Sequence, residues 1–413
     1  MYPDLSYLFH DLFGTQPDNW TSIFKMFGFL LVLSILTAAF FLYLELKRKA
    51  EEGHMTPRQI KVIIGEPASL FDLISNGLYG FLVGFKGGLL VQNFEAFQAN
   101  PVEKLFSLEG NWLAGIVLGI VFTALHWWSK EKDKLPEPKA ELQNEYPHHR
   151  VGDIAVVAAV SGVLGAKLFA SFESVAAMRA FFSDPIGVFF SGSGLAIYGG
   201  LIMGFLALCW YIRKLNIPFW HFFDALGPAF IFSMAVGRIG CQLSGDGDWG
   251  IAATDMPDWW MFPEWLWSYE YPMNVNNDGV PMELCDTDKF RELMGQRMTA
   301  EQRCAEACGI NYCHELGDKV YPTPVYETIM FTGIGSFLWW LRKKITVPGI
   351  IFFITLFFSG IERYLIESIR VNDKIDFLGG QWTQAEIISV ALVLIGVVGA
   401  AILWNRRLKN EPA

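Results

Sequence analysis

The sequence predicts an all-α polytopic membrane protein with about nine transmembrane helices. Three observations predict it. Apolar residues make up 52% of the 413-residue chain and charged residues only 18%, whereas a soluble chain carries about 25% charged residues. The apolar residues gather into runs long enough to cross a hydrocarbon core of about 30 Å at about 1.5 Å per residue. Lys and Arg concentrate in alternate connections between those runs.

The runs fall at 24–45, 72–93, 111–128, 152–172, 193–212, 221–243, 325–341, 348–369 and 385–405. The first holds no charge from Met26 to Leu44 and is followed closely by Lys47, Arg48 and Lys49. Residues 1–22 contain no Lys or Arg, so the basic n-region of a cleavable signal peptide is missing. The second run is interrupted by Lys86 and several Gly. With the N-terminus outside, the inner segments collect Lys47, Arg48, Lys49, Arg58, Lys61, Lys130, Lys132, Lys134, Lys139, Arg150, Arg213, Lys214, Arg342, Lys343, Lys344, Arg406, Arg407 and Lys409. The positive-inside rule therefore selects N-out, C-in. The small-residue pairs Gly115 with Gly119 and Gly200 with Gly204 predict close helix packing. The segment 129–150, with its Pro and alternating charges, reads as a solvated linker.

One connection, 246–323, is too long for a simple turn. It holds Cys285, Cys304, Cys308 and Cys313. The topology places it outside, in the periplasm, where disulfides persist. Four cysteines allow three pairings, and the sequence does not choose among them. A zinc site is the rival reading, but the spacing lacks a C-x-x-C pair. Cys209 and Cys241 read as small apolar fillers. The chain divides on this reading into 1–150 (a first span, an inserted two-span hairpin and a cytosolic linker), a membrane core of 151–245 with 324–413, and the loop subdomain 246–323. The formal net charge of −10 argues against nucleic acid as a partner.

Charges inside spans are costly and mark function by default. The candidates are Lys25, Lys86, Lys167, Arg238, Glu362, Arg363, Glu367 and Arg370, and most lie in the outer halves of their helices. Arg363, Glu367 and Arg370 fall at i, i+4 and i+7 and share one helix face. Glu362 is one residue off that face. Snorkelling to the interface is the structural alternative, above all for Lys25 and Arg370. Two arginines, Arg238 and Arg363, with one compensating Glu predict a cationic cavity near the outer leaflet. Guanidinium forks bind phosphate bidentately, so an anionic phospholipid headgroup is the natural ligand. Chloride or an anionic solute also satisfies that charge, which leaves a transporter or channel as an alternative. No internal repeat supports that alternative.

Motifs at these positions resemble those of bacterial prolipoprotein diacylglyceryl transferases. Gly237-Arg238-Ile239-Gly240-Cys241-Gln242-Leu243-Ser244-Gly245-Asp246-Gly247-Asp248-Trp249-Gly250 is similar to that family's G-R-x-G-N-F-x-N-G-E-x-x-G. Ser193 to Leu201, with Tyr198-Gly199-Gly200, is similar to G-x-x-x-H-G-G-L. Pro322 to Glu327 resembles H-P-[ST]-x-x-Y-E, and Arg363 to Arg370 resembles R-x-x-x-E-x-x-R. The resemblance covers roughly 150–405 plus the first span. Departures are clear. Tyr198 stands where the family has His, Cys241 and Ser244 stand for its two Asn, Phe27 for a Tyr and Lys167 for an Arg. Spans two and three look like an insertion.

The resemblance implies transfer of a diacylglyceryl group from phosphatidylglycerol to the lipobox Cys thiol of a preprolipoprotein, with release of glycerol phosphate, in the bacterial inner membrane. It implies neither metal nor cofactor. Arg238 and Arg363 would stabilise the charge that develops on the leaving phosphate ester and favour the thiolate of the substrate. Glu367 would orient a guanidinium, and Tyr198 would donate a hydrogen bond or accept the thiol proton. Gly199, Gly200, Ser244, Asp246, Tyr326, Glu327, Arg370 and Lys167 are the implied substrate-binding residues; the other partners are membrane lipids. A diverged, non-catalytic lipid- or lipoprotein-binding member of the family is the second alternative, favoured by the missing His and Asn.

Overall fold

The computed structural model describes residues 1–99, 104, 105, 107–172, 174–189, 196–283, 285–372, 374–377 and 379–410. Each of the nine apolar runs is a helix over most of its described residues. They are α1 (Met26–Glu51), α2 (Leu70–Gln92), α3 (Trp112–Lys132), α4 (Val151–Ser171), α5 (Ile197–Lys214), α6 (Phe219–Ser244), α7 (Thr323–Leu341), α8 (Ile350–Glu367) and α9 (Gln384–Asn410). Ser193, Gly194 and Leu195, the start of one motif, lie outside the described residues. Among the described residues, six helices (α1, α2, α3, α4, α6 and α9) are long and apolar enough to cross a membrane. With three further apolar helices beside them, the chain is a mostly helical, multi-pass membrane protein.

The chain forms two compact units, residues 1–54 with 212–413, and residues 55–211. In the first, α6 is the central helix. Half of its apolar stretch is buried, because α1, α7 and α8 all pack on it. Ile231 and Ala235 of α6 and Phe331 and Leu338 of α7 make a closed core. Polar ties fix the helix ends, where backbone groups have no partner of their own helix. Asp224 of α6 accepts the backbone N–H groups of Gly349 at 2.7 Å and Phe352 at 2.9 Å, capping α8. Arg342, just past α7, pairs with the buried Glu45 of α1 at 2.7 Å.

In the second unit, α2 and α3 pack through glycines: a Cβ on Gly80 would sit 2.6 Å from the Leu118 carbonyl oxygen. Lys86 is taken up by carbonyls of the connecting segment, those of Lys104 and Glu109 at 2.9 Å each. It closes the hairpin rather than lining a site. The segment 129–150 is largely exposed, as a solvated linker is, but part of it is regular. Its residues Lys139–Glu145 form β2, antiparallel to β1 (Arg58–Ile64), with Arg58 opposite Glu145. Both faces of that strand are exposed, so its charges Lys139 and Glu141 stay solvated.

The connection 246–323 is stapled by two disulfides, Cys285–Cys308 and Cys304–Cys313. They enclose a small apolar cluster with Phe290 and Ile310. Lys25 donates to the Tyr312 hydroxyl at 3.0 Å and lies 3.5 Å from Asp4. It joins the N-terminal segment to this loop, so its role is packing.

Candidate active site

The site is built where α6 ends. Gly245 caps that helix in the left-handed region at φ 63°, and Gly247 follows at φ 99°. Only glycine takes these angles without strain, so the chain turns back within three residues. The returning strand is then stitched between two other helix ends. Gly250 N–H donates to Tyr321 O and Ile251 N–H to Ile369 O, both at 2.9 Å. The Thr323 hydroxyl donates to Asp248 O. These bonds hold Asp248 beside the start of α7 and the end of α8.

Four segments thus bring their charges together. Arg238 of α6 is paired with Asp248 and with Glu327 of α7. Arg370, just past α8, is paired with the same Asp248 and lies 3.7 Å from Glu327. Arg363 of α8 lies 3.7 Å from Glu327 and 2.7 Å from Glu367, one turn on. Glu327 therefore faces three guanidinium groups while only 1% exposed. The expected surplus of positive charge is not there. Three arginines meet three paired carboxylates, because an unpaired charge in a low-dielectric interior costs several kcal/mol. Arg363 is the most accessible of the three, with 26% of its side chain exposed against 13% for Arg238 and 12% for Arg370.

The two aspartates of the turn differ. Asp246 was the expected acidic residue, yet Asp248 bridges the arginines. Burial would raise the Asp248 carboxyl, but the charges of Arg238 and Arg370 outweigh it and hold it below the usual range. Burial and the nearby Asp248 charge push Asp246 upward instead. The sequence offered a signal for Asp248 in the Gly-Asp-Gly-Asp repeat, but not which acid turns inward.

Other expected residues have packing partners. The buried Ser244 hydroxyl donates to Gly240 O at 2.8 Å. The Tyr326 hydroxyl donates to Leu266 O at 2.8 Å and ties the long loop to α7. Tyr198, Gly199, Gly200 and Lys167 belong to the second unit. There the glycines let α5 approach α4: a Cβ on Gly199 would lie 2.6 Å from the Gly165 carbonyl oxygen. Lys167 is buried in α4, and Tyr198 is half-buried in the first turn of α5.

With this geometry in hand, comparison with known proteins is decisive for the family. The model of the prolipoprotein diacylglyceryl transferase family matches residues 112–402, well over half of the chain. The chain belongs to that family. The match takes in α3, read from the sequence as part of an insertion, and leaves α1 outside. A phosphatidylglycerol–prolipoprotein diacylglyceryl transferase of Halalkalibacterium halodurans is 27% identical over 230 residues, which is 55% of this chain and 62% of that protein. Proteins of the same name from Corynebacterium diphtheriae and Thermus thermophilus are 25% and 26% identical, over 60% and 58% of this chain and 76% and 78% of their own. The chain thus spans a little over three-fifths of the Halalkalibacterium transferase. Arg238, Asp248, Glu327, Arg363 and Arg370 all fall within the residues matched to the transferase family.

Proposed function

We propose that this protein transfers the diacylglyceryl group of phosphatidylglycerol to the lipobox cysteine thiol of preprolipoproteins, forming a thioether and releasing glycerol phosphate. The observation that carries the reading is the meeting of Arg238, Arg363 and Arg370 around Glu327, from three separate helices or their ends. Membership of the family and the printed activity of the relatives support it. The carboxylates hold the guanidinium planes in place before substrate arrives, and preorganised donors stabilise charge that develops in the transition state. A lipid phosphate takes the N–H groups that the carboxylates leave over, Arg363 first. As the C–O bond of the glyceryl group breaks, the negative charge gathers on the departing phosphate, within reach of the arginines.

The same reading has nine spans in an N-out, C-in arrangement in the bacterial inner membrane. The disulfide-bearing loop and the arginine cluster then lie on the periplasmic side, where signal peptides emerge. The two disulfides support that side for the loop. The test is direct. Purified protein in proteoliposomes containing phosphatidylglycerol is incubated with a lipobox peptide and the peptide is weighed by mass spectrometry. A diacylglyceryl adduct on the cysteine is expected, absent when phosphatidylethanolamine is the only lipid. An unmodified peptide with phosphatidylglycerol present overturns the reading.

A further inference from the structure

Among the described residues, Glu362 is an ionisable side chain within the cluster's helices that makes no ion pair. It is 2% exposed, and its Oε1 has no hydrogen-bond partner. Glu327, Glu367 and Asp248 each take a guanidinium, whereas Glu362 makes no ion pair among the described residues. The charges that act on it come from three helices or their ends. They are Glu327 of α7, Arg238 of α6, and Arg363 and Arg370 of α8 and its end. A buried carboxyl left without a partner is costly, and inside a membrane such a group marks function. It is also the residue directly before Arg363, the most accessible arginine, so both occupy one helical turn.

We propose that Glu362 is the proton acceptor of the site, a role that rests on the transferase reading above. The chemistry balances with the residues present. The carboxylate of Glu362 takes the proton of the substrate thiol. The thiolate sulfur bonds to the terminal glyceryl carbon of the lipid while the bond from that carbon to the phosphate oxygen breaks, its electron pair staying on oxygen. The proton then passes from Glu362 to the departing glycerol phosphate, and the carboxylate is restored. This role needs no His at position 198. A phenol such as Tyr198, with an ordinary pKa of about 10, keeps its own proton near neutral pH and so has little ionised form to accept one.

The test compares Glu362→Gln, Glu362→Asp and wild type in the lipobox-peptide assay across pH, with thermal unfolding as the check on folding. Glu362→Gln is expected to lower kcat by about 100-fold or more with little change in KM for phosphatidylglycerol, and Glu362→Asp to recover part of the loss. The wild-type rate levels off once Glu362 is ionised. The Glu362→Gln rate instead keeps climbing with the thiol's own ionisation, whose ordinary pKa is about 8.5. Wild-type kcat and an unchanged pH profile in a folded Glu362→Gln protein overturn the proposal and leave the transferase reading standing. A change confined to KM also overturns it, by making Glu362 a binding residue. A wild type without transfer activity sinks both.

Discussion

Arg238 and Arg370 share one carboxylate, that of Asp248, although they come from different helices and Asp248 from neither. That single side chain makes the turn after α6 an integral part of the arginine cluster. Substituting it separates the charge from the shape.

Asp248→Asn removes the charge at nearly constant volume. Because the folded Asp248 is held below the usual carboxylate range, its contribution to stability is fully present above the unfolded value of about 4. It is lost as pH falls through the lower folded value. Unfolding temperatures measured from acid to neutral pH therefore show wild type above Asp248→Asn by a constant margin at neutral pH. The margin closes only below pH of about 4.

Glu327 faces three guanidinium groups and is almost fully buried. Glu327→Gln leaves three arginines to share only Asp248 and Glu367, and breaking a buried pair costs about 3–5 kcal/mol. A thermal-shift measurement in detergent is expected to show a larger loss for Glu327→Gln than for Asp248→Asn, since Asp248 is the more exposed of the two.

Arg363→Lys keeps the charge but loses the planar fork, and with it the fixed 2.7 Å link to Glu367. Losing one charge-assisted hydrogen bond costs about 1.5–3 kcal/mol. A fall in kcat/KM for phosphatidylglycerol of about tenfold or more is expected in steady-state assays.

Much of this site was legible in the chain. Nine helices lie where the sequence has apolar runs, although among the described residues only six are long and apolar enough to cross a membrane. The i, i+4 spacing of Arg363 and Glu367 predicted the pair that forms. The rest depends on long-range geometry. Asp248 reaches the arginines only because Gly245 and Gly247 turn the chain and Tyr321 and Ile369 receive its backbone. β1 and β2 pair residues far apart in sequence, and a single strand's charges look like a linker's. Glu362 lies off the charged face of α8 by one residue, yet it is buried with the cluster.

The loop gives a separate check. Peptide mapping without reduction is expected to recover Cys285–Cys308 and Cys304–Cys313 as linked fragments. Removing a native disulfide from a small module costs about 2–5 kcal/mol. Reduction is therefore expected to expose residues 285–313 to limited proteolysis before the helices are cut.

Transfer by Arg238→Ala in phosphatidylglycerol proteoliposomes tests the account at its centre. Arg238 is paired with both Asp248 and Glu327, and among the described residues it spans the two more closely than Arg370 does. A folded protein that leaves the lipobox peptide unmodified is expected. Thioether formation at the wild-type rate by that variant contradicts it.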